Sequence, residues 1–158
     1  MNLDFKFLLS HPAHFFALGF GSGLAPKAPG TFGTLFAMLI WLFISHLSLS
    51  LKIIIIFISF LLGIYFCKKT SEDLGTHDHG AIVWDEFVGF WLTMIFIPDG
   101  LFWLLLGFMV FRIIDIMKPW PISLLDKNIK GGFGIMIDDI FAGFFAGAIL
   151  FFVNLYFI

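Results

Sequence analysis

The chain alternates long apolar stretches with short polar segments. Five apolar stretches approach the roughly 20 residues that an α-helix needs to cross a bilayer. Their predicted bounds are Phe32–Leu49, Leu51–Cys67, Ala81–Ile97, Leu101–Met117 and Ile140–Ile158. The pattern therefore predicts an all-α, polytopic membrane helix bundle with about five hydrophobic helices, four or five of them spanning.

The segment that precedes these stretches, from Asn2 to Phe20, is apolar only in pieces. Asp4, Lys6 and Pro12 interrupt it, together with two histidines. This pattern predicts an N-terminal helix that lies in the membrane interface. The segment lacks the continuous apolar region and the cleavage site of a signal peptide, so we expect it to be retained. The length then fits a single membrane-embedded domain over residues 1–158.

Composition excludes several classes of protein. Apolar residues make up 60% of the chain and charged residues 13%, whereas soluble domains have about 25% charged residues. The net charge of -2 shows no basic excess, so we expect no nucleic-acid partner. The single cysteine, Cys67, excludes an internal disulfide and a cysteine-based zinc site, and we expect it to pack in the core.

The cations indicate how the helices are oriented, because Lys and Arg in short loops stay on the cytoplasmic side. With the N-terminus inside, Lys52 is the one cation on the outer side. The inner cations are Lys6, Lys27, Lys68, Lys69, Arg112, Lys118, Lys127 and Lys130. The same threading places the acidic residues from Glu72 to Asp139 on that side, except Asp99. We therefore expect the polar chemistry to face the cytoplasm.

The first polar block is GFGSGLAPKAPGTFGT, from Gly19 to Thr34. Its glycines allow a close backbone approach, and Ser22, Lys27 and Thr31 supply donors to an anion. The block is not a Walker loop, because G-x-x-x-x-G-K-[ST] is absent from it. It is either a phosphate cradle or a flexible connection between a surface helix and a span.

The second block, HDHGAIVWDE at His77 to Glu86, is dense in ligand side chains. Carboxylates such as Asp78, Asp85 and Glu86 suit a hard cation such as Mg²⁺. On one continuous helix, Asp78 and Asp85 would lie about 10 Å apart along the axis, too far for one ion. We therefore expect the chain to break at Gly80, so that Asp78 enters from a loop. The alternative is a helix start whose acids the helix dipole favours.

The third block is FRIIDIMKPWPI, at Phe111 to Ile122. Arg112, Asp115 and Lys118 follow at i, i+3 and i+6 and share one helical stripe. The stripe either presents two cations to phosphate, with Asp115 orienting Arg112, or is a salt bridge beside an inner-side lysine.

The fourth block is GGFGIMIDD, at Gly131 to Asp139. We expect a glycine-rich loop followed by a helix that begins near the paired aspartates Asp138 and Asp139. Capping explains one aspartate, and two favour a cation site or a general base.

Taken in order, the four blocks closely resemble the phosphatidylglycerophosphatase A family of bacterial inner-membrane lipid phosphatases. The resemblance covers nearly the whole chain. It implies a Mg²⁺-dependent enzyme that removes the terminal phosphate of phosphatidylglycerophosphate, giving phosphatidylglycerol and inorganic phosphate. It also implies a multi-pass protein of the inner membrane whose active site faces the cytoplasm.

The residues and the resemblance combine into one hypothesis for the site. Asp78, Asp85, Glu86, Asp138 and Asp139 bind one or two Mg²⁺ ions. Lys27 and Arg112 hold the phosphoryl oxygens, helped by Ser22, Thr31 and Lys118, with Asp115 in support. A surplus carboxylate or His79 activates the attacking water.

Two other readings stay open at this point. One is a phosphatase of another lipid phosphate, and the other is a small ion-coupled transporter that uses membrane acids as a relay. A CDP-alcohol phosphotransferase is disfavoured, because the Asp99-Gly100 pair is followed by Leu-Phe-Trp-Leu and not by the D-G-x2-A-R pattern.

Overall fold

The computed structural model describes residues 3–157, and the regular structure of this part is entirely helical. A 3-10 helix at Gly19–Leu24 follows the first two α-helices. The α-helices are α1 Phe5–Ser10, α2 Pro12–Ala17, α3 Pro29–Ile44, α4 Leu49–Leu74, α5 Trp84–Met94, α6 Leu101–Met117, α7 Ile122–Asn128 and α8 Gly131–Phe157. The all-α prediction is confirmed for the part that the structure describes.

The predicted number of spanning helices is too high. By length and composition, two of the described helices, α4 and α8, can cross a membrane. Helix α3 has 16 residues and α5 has 11, which gives about 24 and 16 Å against a hydrocarbon core of about 30 Å. The stretch Ala81–Ile97 was expected to be helical throughout, but it enters and leaves its helix through irregular backbone. Ile158, the predicted end of the last span, lies outside the described residues.

The N-terminal segment is not the single helix that we expected. Pro12 begins α2, and His11 separates this helix from α1. Each helix has its own cap: Asp4 accepts from the backbone N–H of Phe7, and His11 Nδ1 accepts from that of Ala13. Asn2, the predicted start of the segment, lies outside the described residues. The two short helices bury side chains, among them Phe7, Leu8 and Ala17.

His14 fastens α2 to the end of α4. Its Nδ1 lies 2.9 Å from Thr70 Oγ1, and its Nε2 lies 3.1 Å from Asp73 Oδ2. Burial lowers the pKa of His14 below 6.5, although Asp73 partly opposes this. The ring has a partner on each nitrogen and joins α2 to α4.

Helix α8 begins nine residues earlier than the predicted start at Ile140, because the glycine-rich segment is its first turn and not a loop. A Cβ on Gly132 would lie 1.9 Å from the carbonyl oxygen of Ile64. The glycine lets α8 approach the backbone of α4, which a larger residue would prevent. Further along α8, Gly143 has the same function against Gly89 O of α5, where a Cβ would lie 2.2 Å away.

Helix α8 is the centre of the fold and packs against α4, α5, α6 and α7. Large side chains fill the interior, with Trp41, Phe87 and Phe111 almost fully buried. Cys67 is also buried, with its Sγ 3.7 Å from Met136 Sδ, so its predicted core position is confirmed. The outer faces of α3, α4, α6 and α8 carry exposed large apolar side chains such as Phe43, which is 80% exposed. Such faces suit contact with lipid.

Candidate active site

A cavity of about 330 Å³ collects the polar segments of the chain at one end of the helices. The start of α3, the loop before α5, the first turn of α5, the end of α6 and the third turn of α8 all contribute to its wall. Eight of the predicted site residues line it: Asp78, Asp85, Glu86, Arg112, Asp115, Lys118, Asp138 and Asp139. The four blocks, which are far apart in the sequence, therefore meet in one place.

Three of the carboxylates that line this cavity lie close together. One oxygen from each of Asp85, Glu86 and Asp139 lies within 4.8 Å of the others. Asp85 Oδ1, Glu86 Oε2 and Asp139 Oδ2 are buried without a hydrogen-bond partner among the described residues. Burying unpaired carboxylates costs several kcal/mol each, and a hard cation bound by oxygen ligands would offset that cost. The three residues therefore fit a divalent cation.

Local structure explains how the carboxylates meet. Helix α5 begins at Trp84, and Asp85 and Glu86 therefore lie in its first turn. The Trp84 Nε1 donates to Ser59 O of α4 at 3.0 Å, which fixes the start of α5 against α4. The helix dipole favours acids there. It does not account for Asp139, which lies further along α8. Gly89 brings α5 and α8 together at this level, because a Cβ on it would lie 2.6 Å from Asp139 O.

Arg112 lies beside the carboxylates and is held from two sides. It donates to Asp115 on its own helix and to Glu86 Oε1 at 3.5 Å. The predicted orienting contact from Asp115 is therefore present. The backbone of α3 also touches this ion pair, since a Cβ on Gly30 would lie 2.2 Å from Glu86 Oε1 and 3.1 Å from Arg112 Nη2.

Lys118 ends α6 in a left-handed conformation and reaches back to the cavity. Its Nζ donates to Asp138 Oδ2 at 2.5 Å and to Asp126 Oδ1 at 2.7 Å. Burial lowers the pKa of Lys118, but the hydrogen bonds to Asp126 and Asp138 outweigh burial and raise it above the ordinary value. The ammonium is therefore charged. Asp126 was not among the predicted site residues.

Asp78 enters the cavity from the loop before α5, as expected. Its backbone is left-handed, with φ of 51°, and the helix begins only at Trp84. The neighbouring His77 ties this loop to the start of α8, because its Nε2 accepts from Gly131 N at 2.9 Å. The predicted break near Gly80 is confirmed.

Four predicted site residues do not line the cavity. Ser22 donates to Gly19 O at 2.8 Å, and His79 Nδ1 accepts from Ala81 N at 3.2 Å. Lys27 is exposed, and Thr31 is half-buried in the first turn of α3. The first block contributes Ala28, Pro29 and Gly30 to the cavity wall instead. The roles predicted for these four side chains stay predictions.

The fold and the cavity define a helical protein with two helices suited to a membrane and a buried carboxylate site suited to a divalent cation. A comparison of the sequence with known protein families identifies the family. Residues 15–154 match the family model described as phosphatidylglycerophosphatase A, and the chain belongs to that family.

Individual relatives agree with the family match. A phosphatidylglycerophosphatase A from Escherichia coli K12 is 47% identical over 92% of this chain and 86% of its own. The protein of the same name from Haemophilus influenzae is 47% identical over 92% of this chain and 91% of its own. A relative from Bacteroides thetaiotaomicron, provisionally named a phosphatidylinositol-3-phosphatase, is 36% identical over 81% of this chain and 84% of its own. No solved structure matches the chain significantly.

Proposed function

We propose that this protein is a phosphatidylglycerophosphate phosphatase, which hydrolyses the terminal phosphomonoester to phosphatidylglycerol and inorganic phosphate. The observation that carries the proposal is the cluster of Asp85, Glu86 and Asp139 beside Arg112 in one cavity. A cation site next to a guanidinium is the arrangement that a phosphomonoester dianion requires. The family match and the names of the relatives support the same activity.

The charge of the cavity supports a requirement for divalent cations. Six carboxylates and two cationic side chains line it, which leaves four negative charges uncompensated when all are ionised. A phosphate dianion would not enter such a cavity unaided. We propose that the cluster holds Mg²⁺. The four uncompensated negative charges of the cavity would balance one Mg²⁺ ion and a second one. The bound metal would neutralise the phosphoryl oxygens and lower the pKa of bound water.

Two groups of the chain are placed to orient the phosphate. Arg112 presents a guanidinium that Asp115 and Glu86 fix in position. The first turn of α3, with Gly30 in the cavity wall, has no side-chain cap. The N–H groups of Thr31 and Phe32 donate to Ala28 O, and Pro29 has none, so among the described residues the N–H of Gly30 is left to donate to a phosphoryl oxygen. In this scheme the first block binds phosphate through its backbone.

We assign the proton transfer to Asp78. Among the described residues it is the cavity carboxylate that lies outside the cluster and has no ion pair with Arg112 or Lys118. It accepts a proton from water as the water oxygen attacks phosphorus. The bond from phosphorus to the glycerol oxygen breaks, and that oxygen takes a proton from solvent water and leaves as the alcohol of phosphatidylglycerol. Asp78 gives its proton back to solvent, so that the carboxylate is restored.

We also propose the predicted membrane placement: a multi-pass protein of the inner membrane with the cavity at the cytoplasmic face. The exposed apolar faces of the helices and the collection of charge at one end support it. Helices α3 and α5 are short for a bilayer; α3 packs on α5, and α5 packs on α4 and α8. The cavity would then lie at the depth of a lipid headgroup in the inner leaflet.

The second candidate function is hydrolysis of another lipid phosphate. The name of the relative from Bacteroides thetaiotaomicron, a phosphatidylinositol-3-phosphatase, favours it. A transporter is disfavoured, because the carboxylates gather at one end of the helices and not midway along them.

A comparison of substrates separates these candidates. The purified protein in detergent with Mg²⁺ should release phosphate from phosphatidylglycerophosphate with a kcat/KM at least about tenfold above that for phosphatidylinositol 3-phosphate or phosphatidic acid. Released phosphate and the lipid product are measured together. A preference for phosphatidylinositol 3-phosphate would replace the proposed substrate with the second candidate. Uptake into proteoliposomes without release of phosphate would instead support a transporter.

A further inference from the structure

Carboxylates on two different helices hold the ammonium group of Lys118. Its Nζ lies 2.7 Å from Asp126 Oδ1 on α7 and 2.5 Å from Asp138 Oδ2 on α8. Lys118 and Asp138 line the cavity, whereas Asp126 does not. Asp126 therefore reaches the site through Lys118.

Lys118 would have considerable freedom with Asp138 as its single partner. It ends α6, and a lysine side chain has many rotamers available to it. One ion pair leaves such a side chain able to turn about its partner and out of the cavity. The second carboxylate, on a separate helix, removes that freedom, and the side chain is only 26% exposed.

Asp126 is itself held firmly enough to act as a support. Helix α7 packs on α8, and Ile122 at its start is fully buried. Lys130 Nζ donates to the backbone oxygen of Asp126 at 3.3 Å. The carboxylate is thus presented from a short helix that is anchored by Ile122 at its start and packed on α8.

We propose that Asp126 is a positioning residue for phosphate recognition, which, together with Asp138, holds the Lys118 ammonium at the cavity wall. An ammonium group has three donors, and the two carboxylates take two of them. In the part of the chain that the structure describes, nothing takes the third donor, which can bind a phosphoryl oxygen of the substrate. This role rests on the proposed phosphatase function.

Competition between Asp126 and phosphate for Lys118 would have the opposite effect on phosphate affinity. The carboxylate of Asp126 neutralises positive charge of Lys118 at the cavity edge, so phosphate would have to compete with this carboxylate for the ammonium group. Loss of Asp126 would then tighten phosphate binding. The sign of the change in phosphate affinity separates positioning from competition.

The test replaces Asp126 with Asn, Ala and Glu. For Asp126→Asn and Asp126→Ala we expect the KM for phosphatidylglycerophosphate and the Kd for inorganic phosphate to rise about tenfold, as for loss of one charge-assisted contact. The kcat should change by less than about threefold, and Asp126→Glu should restore both constants. A structural role alone would lower the amount of folded enzyme and leave KM unchanged. Asp99→Asn removes an exposed carboxylate between α5 and α6 and is the matched control.

Unchanged KM and Kd in Asp126→Asn, or tighter binding in any variant, would overturn the proposal. If Asp126→Ala does not fold, the near-isosteric Asn variant decides by the same two constants. The Kd for inorganic phosphate, measured by calorimetry in Mg²⁺, needs no turnover. If the wild type released no phosphate from any lipid, the proposed function would fail, and the Kd comparison would still judge the role of Asp126.

Discussion

Replacing Asp139 with asparagine is expected to lower kcat for phosphate release by about a thousandfold. Asp139 is buried, and its Oδ2 has no hydrogen-bond partner among the described residues. It lies in one cluster with Asp85 and Glu86. An amide keeps the shape of the side chain but removes the charge that would hold a divalent cation. The loss should therefore come from chemistry and metal affinity while the fold is retained.

The comparison needs the metal and the fold to be followed separately. Phosphate release is measured at saturating lipid over a range of Mg²⁺ concentrations, beside thermal unfolding of each variant. Asp85→Asn should behave like Asp139→Asn, and the exposed Asp99→Asn should resemble the wild type. Full activity in Asp139→Asn would remove this residue from the proposed cation site.

Replacing Gly30 with alanine is expected to lower kcat/KM about a hundredfold, the scale of a misplacement of about 1 Å in an active site. The new Cβ would lie 2.2 Å from Glu86 Oε1, so the carboxylate would have to move. Glu86 belongs to the acidic cluster and also accepts from Arg112. One methyl group would therefore disturb the cation site and the guanidinium together.

Gly80→Ala is the matched control for this substitution. Gly80 also borders the cavity, but a Cβ on it would have nothing within 4 Å. We expect its kcat/KM to stay within about twofold of the wild type, because nothing has to move. Equal losses in the two variants would show that any added methyl group at the cavity is harmful, and would contradict the contact assigned to Gly30.

Much of the site follows from the order of polar residues in an apolar chain. Charge is costly in a membrane segment, so the sequence alone indicates that acids such as Asp85 and Asp139 have a function. The break before α5 also follows from spacing, since Asp78 and Asp85 cannot reach one ion from a continuous helix. The stripe of Arg112 and Asp115 follows from helical periodicity.

Other features depend on packing, which hydropathy does not reveal. Gly132 was expected in a loop, yet it lies within α8, where its missing side chain permits contact with α4. Gly30 was not predicted at the site, yet the turn before α3 brings it to the cavity; Lys27 of the same block is exposed, and its predicted contact with phosphate stays a prediction. Asp126 reaches Lys118 around a turn with two prolines, at a separation that no helical or strand period marks.

Hydropathy also overestimates the length of some helices. An apolar run reports burial in protein or lipid, and it does not report where backbone hydrogen bonding stops. The run from Ala81 to Ile97 is helical only over Trp84–Met94. Its ends are irregular and lie within the fold, where residues such as Ala81 and Val83 are buried. The count of spanning helices was therefore less predictable than the position of the site.

The central claim is that the cluster of Asp85, Glu86 and Asp139 holds a divalent cation on which phosphate release depends. It is tested most directly by a Mg²⁺ titration of phosphate release from phosphatidylglycerophosphate by the metal-stripped wild-type protein in detergent. We expect no release in excess chelator and a saturable rise with Mg²⁺. Release at the same rate in chelator and in Mg²⁺ would contradict the claim.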